Sequence, residues 1–157
     1  MKKIVIIGIG NILLKDDGIG IHIINELNKL KDDKELKEIE FIDGGTSTLD
    51  MLKHFQENDI VIIIDALRSG LKPGTIYKLK PEDINDTILC DLSIHDVQIV
   101  DIVKLANIMG YNPKIIIFGI EPKNIGYGIE ISEELLNKTY EFIVIIKKEI
   151  SLFFNSV

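Results

Sequence analysis

The sequence has few of the residues that form cross-links or bind nucleic acid. It contains one cysteine and no tryptophan among 157 residues, which excludes a disulfide framework and a cysteine-based zinc finger. Its 18 basic residues are outnumbered by 25 acidic ones, and the formal net charge is -7. A chain with this balance and no lysine cluster is a poor candidate for binding nucleic acid or an anionic membrane.

Long apolar runs are also missing. No run reaches the roughly 18 residues that a membrane-spanning helix needs. Two lysines and an apolar run open the chain as in a signal peptide, but Asn11 interrupts the run and no small-residue cleavage site follows, so a first β-strand is favoured. We therefore expect a cytoplasmic protein without membrane contact. With 46% hydrophobic residues, we expect a single domain over residues 1–157.

Several apolar segments are typical of β-strands. The runs Ile4–Ile9, Asp59–Ile64 and Lys114–Ile120 are continuous, as in strands covered on both faces. Shorter strands are expected at Glu38–Ile42 and, as an edge strand, at Thr75–Leu79. The chain therefore has about five strands, most of them buried.

Segments with helical spacing alternate with these strands. Helices are predicted over residues 18–30, over residues 47–56 with a capping box at Ser47 and Asp50, over residues 93–110, and over residues 133–154. The residues expected to face the core are Gly20, Ile23, Ile24, Leu27 and Leu30 in the first helix, Ile99, Ile102, Val103 and Ala106 in the third, and Leu136, Ile143, Ile146 and Ile150 in the last. This alternation predicts an α/β three-layer sandwich with a twisted, mostly parallel sheet of about five strands flanked by helices.

Polar residues follow the buried strands. Ligands of open α/β sheets bind at the carboxyl ends of the strands. The segments found there are Gly8-Ile9-Gly10-Asn11 with Asp16-Asp17, then Asp43-Gly44-Gly45-Thr46, then Asp65, and last Glu121-Pro122. His95 is in phase with Ile99 and Ile102 in the first turn of its predicted helix, so we expect it to face the sheet. The rule gathers several carboxylates and one imidazole at one edge.

Asp17, Asp65 and His95 are the candidate metal ligands in this set. Two carboxylates and an imidazole suit zinc, nickel, manganese or iron(II), and three protein ligands leave positions open for water or substrate. Asp65 follows a buried run, where a carboxylate is costly unless it is paired or liganded. Structural interpretations stay open: Asp16 or Asp17 as a charge at a helix start, and His95 as a hydrogen-bonded, partly buried histidine.

The sequence also allows two other chemistries. Gly8-x-Gly10 followed by Asp43 outlines a dinucleotide-binding site, but Leu13 replaces the third glycine, and the Asp16-Asp17 pair would oppose a phosphate. Cys90 lies five residues before His95 and could act as a nucleophile, although a lone buried thiol is more common. Both alternatives are less favoured than a metal site.

The sequence resembles the hydrogenase maturation endopeptidases, which trim the C-terminus of the large subunit of nickel-iron hydrogenases. The similarity covers nearly the whole chain, because short family motifs occur in the same order. These motifs are the segment from Gly8 to Gly20 (GIGNILLKDDGIG), Asp43-Gly44-Gly45-Thr46, Ile64-Asp65-Ala66, Lys72-Pro73-Gly74-Thr75, Ser93-Ile94-His95-Asp96 and Gly119-Ile120-Glu121-Pro122.

The resemblance implies a twisted sheet flanked by helices and a metal-recognising protease. The family's two acids and one histidine fall on Asp17, Asp65 and His95, which are then both the catalytic and the metal-binding candidates; Asp16 is a neighbour of the first acid. Glu121 and Asp43 are weaker candidates for supporting roles. The resemblance leaves open whether the protease is of the aspartyl type or metal-dependent.

The resemblance also implies the partner and the metal. The partner is the hydrogenase large-subunit precursor, and the metal is nickel carried by that precursor, with zinc or another divalent ion as a substitute in the isolated protein. A monomer is expected. The alternatives are a metal-recognising maturation chaperone and a nucleotide-binding α/β module, both without peptidase activity.

Overall fold

Five strands form the sheet in the computed structural model, which describes residues 2–86 and 94–155, with side chains over 2–84 and 99–155. The strands are β1 (Ile4–Ile9), β2 (Glu40–Gly45), β3 (Ile60–Ala66), β4 (Ile76–Leu79) and β5 (Lys114–Ile120). Their order across the sheet is β2-β1-β3-β5-β4. All neighbouring pairs are parallel except β4 with β5, so the predicted mostly parallel sheet is confirmed.

In the described part of the chain, six α-helices cover the two faces of the sheet. They are α1 (Ile19–Lys29), α2 (Met51–Glu57), α3 (Pro81–Asp86), α4 (Ile94–Ile108), α5 (Glu133–Leu136) and α6 (Thr139–Phe154). Apolar side chains of α1, α5 and α6 share one core with one face of the sheet, and those of α2, α3 and α4 share a second core with the opposite face. The predicted three-layer α/β sandwich is therefore confirmed.

Apart from Asp65 near the end of β3, the strands β1 and β3 consist of apolar residues and glycine, because both of their faces are covered. In β1, Ile4 and Ile6 belong to the first core and Val5 and Ile7 to the second. Alternate side chains point to opposite faces, so every position of β1 and β3 is buried.

Within the described ranges, no helix is both long and apolar enough to cross a membrane.

The structure corrects two predictions about helix starts and ends. The helix expected from Ser47 begins at Met51, and its N-cap residue Asp50 makes no side-chain capping bond, so the predicted capping box is wrong. Leu30 is 40% exposed because α1 ends at Lys29. The predicted start of the third helix at Ser93 lies outside the described residues.

The predicted C-terminal helix is divided in two. Asn137 and Lys138 separate α5 from α6, and the interruption changes which leucine faces the core. Leu135 is fully buried, whereas Leu136, expected on the core face, is 45% exposed. Spacing counted back from α6 assumes continuous helical geometry, which this break removes. The buried positions predicted within α6, Ile143, Ile146 and Ile150, are confirmed.

Glycines let the start of α1 lie against the sheet. A Cβ atom on Gly20 would lie 2.4 Å from the carbonyl oxygen of Ile64 and 2.5 Å from that of Ile9, and one on Gly8 would lie 2.3 Å from the carbonyl oxygen of Gly20. No larger residue fits without moving backbone. The close contact holds the turn before α1 at the carboxyl ends of β1 and β3.

Candidate active site

Asp17 lies in a single 3-10 turn, Lys15–Gly18, between β1 and α1. This turn packs against β3. Asp17 is only 7% exposed, and its Oδ2 atom accepts a hydrogen bond of 2.8 Å from the backbone N–H of Asn11. The Asn11 carbonyl in turn accepts the N–H of Leu14 at 3.0 Å. The loop after β1 is therefore folded around the Asp17 carboxylate.

Asp65 is the penultimate residue of β3 and is 1% exposed. Its Oδ1 atom accepts a hydrogen bond of 2.8 Å from the backbone N–H of Ala66. In the sheet, Asp65 is paired with Gly119 of β5, and its neighbour Ile64 is paired with Gly8 of β1. Asp65 and the turn that carries Asp17 thus lie at the same edge of the sheet, as the sequence predicted.

His95 lies in the first turn of α4, but its side chain is outside the described residues, as is Cys90. The three-ligand site of Asp17, Asp65 and His95 therefore stays a prediction. Among the side chains that the structure describes, no group of three or more histidine, cysteine, aspartate or glutamate residues is arranged to hold a metal.

Asp16, which sequence reasoning treated as a neighbour of the ligand, is fully buried. Its carboxylate accepts hydrogen bonds from the backbone N–H groups of Lys123, Asn124 and Ser132, at 2.9, 2.8 and 2.7 Å. The Ser132 hydroxyl donates a fourth bond of 2.7 Å. Three of these donors reach Oδ2 and one reaches Oδ1, so the Asp16 carboxylate is occupied by contacts within the fold and is poorly suited to bind a metal.

Glu121, a weaker candidate for a supporting role, is 4% exposed and holds the loop after β3. The backbone N–H groups of Ser69 and Gly70 donate to its carboxylate at 2.8 and 3.2 Å. The hydroxyls of Ser69 and Tyr77 donate at 2.9 and 2.7 Å and contact each other. Through these hydrogen bonds, Glu121 holds in place the segment that follows Asp65.

The pKa of Tyr77 reflects this environment. Burial is the largest cause that raises the pKa of the Tyr77 phenol, to about 12, and the hydrogen bond and negative charge of Glu121 act in the same direction. The hydrogen bond with Ser69 partly opposes them by lowering the pKa. Tyr77 therefore stays a neutral hydrogen-bond donor to Glu121 across the physiological pH range.

Asp43 is exposed, and its Oδ1 accepts the backbone N–H of Gly45 at 2.9 Å. The carbonyl of Gly45 then accepts the N–H of Gly10 at 2.9 Å, which links the ends of β1 and β2. The pairing register between these strands shifts here, because Gly8 is paired with Asp43 and Ile9 with Gly45. Asp43 thus closes a turn at the same edge, within a β-bulge.

Sequence reasoning missed the roles of Asp16, Ser132 and Tyr77. The donors to Asp16 lie 107 to 116 residues further along the chain, so no local pattern indicates them. One signal was nevertheless present in the sequence. A second carboxylate beside Asp17 at the sheet edge, if buried, has to accept several hydrogen bonds, because burying it without them costs free energy. Of the buried carboxylates in the described part of the chain, all but Glu149 lie at this edge: Asp16, Asp17, Asp65 and Glu121.

Exposed apolar side chains lie next to the turn. Ile12 and Leu13 are 57% and 59% exposed, and Tyr127 and Ile129 are 92% and 75% exposed. The two segments that carry them are joined by a hydrogen bond of 2.9 Å from the N–H of Gly128 to the carbonyl of Leu13. Ile12 and Ile129 also line a cavity of 180 Å³ beside α1. The region around the turn is therefore partly apolar.

Comparison with known proteins assigns the chain to a family. A family model described as hydrogenase maturation protease matches residues 21–149. The Hydrogenase 2 maturation protease of Escherichia coli (strain K12) is 30% identical over 128 residues, which cover 78% of this chain and 75% of that protein. The hydrogenase expression/formation protein HoxM of Azotobacter vinelandii is 29% identical over 78% of this chain, and the chain spans 59% of its length.

A solved structure extends the similarity to the fold. The hydrogenase maturating endopeptidase HybD from E. coli superimposes with a TM-score of 0.77 and 25% identity, over 94% of this chain and 93% of that chain. The resemblance read from the motifs is confirmed, and the chain belongs to the hydrogenase maturation protease family.

Proposed function

We propose that this protein is an endopeptidase that removes the C-terminal extension of a nickel-iron hydrogenase large-subunit precursor after nickel has been inserted. The observation that carries the proposal is the position of two buried carboxylates, Asp17 and Asp65, at one sheet edge in a chain of this family. The cytoplasmic location stays a prediction.

In this proposal the precursor brings the metal and the protease completes its coordination. Asp17, Asp65 and His95 are the donors, and oxygen and imidazole ligands suit a borderline metal such as nickel. Burial strengthens the attraction between the two carboxylates and a cation, because the local dielectric constant is low. Holding the precursor through its own metal would place the adjacent scissile bond at a fixed distance from the protease.

The surroundings of the two carboxylates support a protein substrate. Ile12, Leu13, Tyr127 and Ile129 are exposed around the turn that carries Asp17, and contiguous apolar surface of this kind is typical of protein-binding regions. Such a surface is suited to docking a folded precursor that carries its metal.

Processing of the nickel-loaded precursor, read by intact mass, tests this function. Wild-type protein should remove a C-terminal peptide, and Asp65→Asn should slow the reaction roughly 100-fold or more, since even residues that only orient metal ligands contribute about 10- to 100-fold. Asn keeps the size and the acceptor for the Ala66 N–H, so the fold is expected to survive. Wild-type protein that binds the cognate precursor without trimming it would contradict the peptidase and favour a maturation chaperone.

A further inference from the structure

Asp16 joins two segments that lie far apart in the sequence. Oδ1 accepts the backbone N–H of Ser132, and Oδ2 accepts the N–H groups of Lys123 and Asn124 together with the Ser132 hydroxyl. These donors belong to the segment 123–132, which follows β5 and runs to the start of α5. Hydrogen bonds to a charged acceptor are stronger than those between neutral groups, so the Asp16 carboxylate anchors this segment to the turn before α1.

Backbone hydrogen bonds continue the same junction. The N–H of Asp16 donates to the carbonyl of Asn124 at 3.0 Å, and the N–H of Lys15 donates to that of Gly128 at 2.8 Å. The N–H of Gly128 donates back to Leu13 at 2.9 Å. Two sets of contacts therefore fix the turn before α1. One is the set of hydrogen bonds to the segment 123–132, and the other is the close contact of α1 with the sheet.

Lys15 shows that the turn is held in an unfavourable shape. Its φ angle of 48° is in the left-handed region, which costs energy for a residue with a side chain. Such a conformation persists only where the surrounding structure imposes it. The residues that follow Lys15 are Asp16, whose carboxylate binds the segment 123–132, and Asp17, which is the proposed metal ligand.

We propose that Asp16 is a positioning residue for Asp17. By fastening the turn to the segment 123–132, Asp16 fixes the place of the Asp17 carboxylate relative to Asp65, and so sets the geometry that meets the metal of the precursor. This inference rests on the proposed function. Asp16 itself stays off the metal, because its carboxylate is occupied by four donors within the fold.

Asp16→Asn tests the proposal directly. Both oxygens of Asp16 face N–H donors, so the amide of Asn would point an N–H group at another N–H in either orientation. We expect a folded variant whose kcat and kcat/KM for the nickel-loaded precursor fall roughly 10- to 100-fold, since a displacement of about 1 Å can cost that much. Asp33→Asn removes a carboxylate that accepts from Glu35 and Lys147, and it should process at the wild-type rate.

A milder pair of variants covers the possibility that Asp16→Asn fails to fold. Ser132→Ala removes one of the four donors, and Ser132→Thr retains the hydroxyl. Ser132→Ala should lower kcat by a few-fold and Ser132→Thr should restore it, while Ser151→Ala, which removes a hydroxyl bonded to Lys147, should have no effect. Hydrogen exchange at the amides of Lys123 and Asn124 should speed up in Ser132→Ala.

The outcomes separate this proposal from the proposed function. A wild-type protein that processes the precursor, with Asp16→Asn and Ser132→Ala at the wild-type kcat after correction for the folded fraction, would overturn the positioning role and leave the peptidase intact. A wild-type protein that does not process its cognate precursor would overturn the peptidase, and the positioning role with it. A reduced kcat in Ser132→Ala that Ser132→Thr rescues would support both.

Discussion

Gly20 and Ile64 are in such close backbone contact that a Cβ atom on the glycine would lie 2.4 Å from the isoleucine carbonyl oxygen. The contact joins the first turn of α1 to the last part of β3, one residue before Asp65. It is the steric reason that the turn carrying Asp17 and the strand carrying Asp65 share one edge. The candidate site therefore depends on a residue that has no side chain.

Gly20→Ala is expected to destabilise the protein by at least about 2 kcal/mol, because the atoms met are backbone and cannot rotate away. Helix propensity alone would favour alanine by about 1 kcal/mol, so a loss of stability identifies the close contact as its cause. Chemical denaturation measures the difference. Gly126→Ala is the matched control, since its Cβ would meet only the Asn124 side chain at 3.2 Å, and a change within about 0.5 kcal/mol is expected there.

Tyr77→Phe should change the dependence of stability on alkaline pH. The pKa of Tyr77 is raised from 10.0 to about 12 in the folded protein, so the folded state retains the phenol proton more tightly than the unfolded state. Its stabilising contribution is complete below pH 10 and is lost as pH rises to 12. The free energy of unfolding of wild type should thus exceed that of Tyr77→Phe below pH 10, and the two should converge above it. A constant difference across this range would contradict the raised pKa of Tyr77.

Asp17→Glu and Asp17→Asn separate charge from size at the proposed metal ligand. Glutamate keeps the carboxylate, and the resemblance implies that the family accepts either acid at this position. Asp17→Asn keeps the acceptor for the Asn11 N–H but removes the charge. We expect Asp17→Glu to process the nickel-loaded precursor within about tenfold of the wild-type rate and Asp17→Asn to lose at least about 100-fold. Equal rates in the two variants would show that the charge at this position is not used.

His95→Ala is expected to abolish nickel-dependent processing while the fold is retained, because a residue in the first turn of α4 contributes little to the core. Cys90→Ser, five residues away in the sequence, should process normally. Thermal unfolding checks the folding of both variants. Unchanged processing by His95→Ala would remove it from the ligand set, and loss of activity in a folded Cys90→Ser variant would restore the cysteine nucleophile as a hypothesis.

The buried strands were predictable because a strand that is covered on both faces has apolar residues at successive positions. Every residue of Ile4–Ile9 is apolar or glycine, and all six are buried. The edge strand β4 was also predictable, since the turn at Pro73-Gly74 and the alternating pattern after it are typical of an edge strand. Asp65 followed from the same logic, because the carboxyl end of a buried strand is where open α/β sheets place their ligands.

Contacts between distant segments were not predictable in the same way. The helix break at Asn137 and Lys138 buries Leu135 in place of Leu136. Neither residue is a glycine or proline, which are the residues that indicate a break in the sequence. Asp16 looked like a charge favoured by the start of a helix, yet its partners lie in the segment 123–132. Hydrogen bonds of this kind depend on the packed arrangement of the whole sheet edge, which spacing within one segment does not encode.

The most direct test of the central claim compares the nickel-loaded and nickel-free forms of the cognate hydrogenase large-subunit precursor as substrates of the wild-type protein, with both followed by intact mass. If the protein recognises inserted nickel through Asp17, Asp65 and His95, a C-terminal peptide is lost from the loaded precursor and the nickel-free form stays intact. Equal trimming of both forms would contradict metal recognition, and trimming of neither would contradict the peptidase.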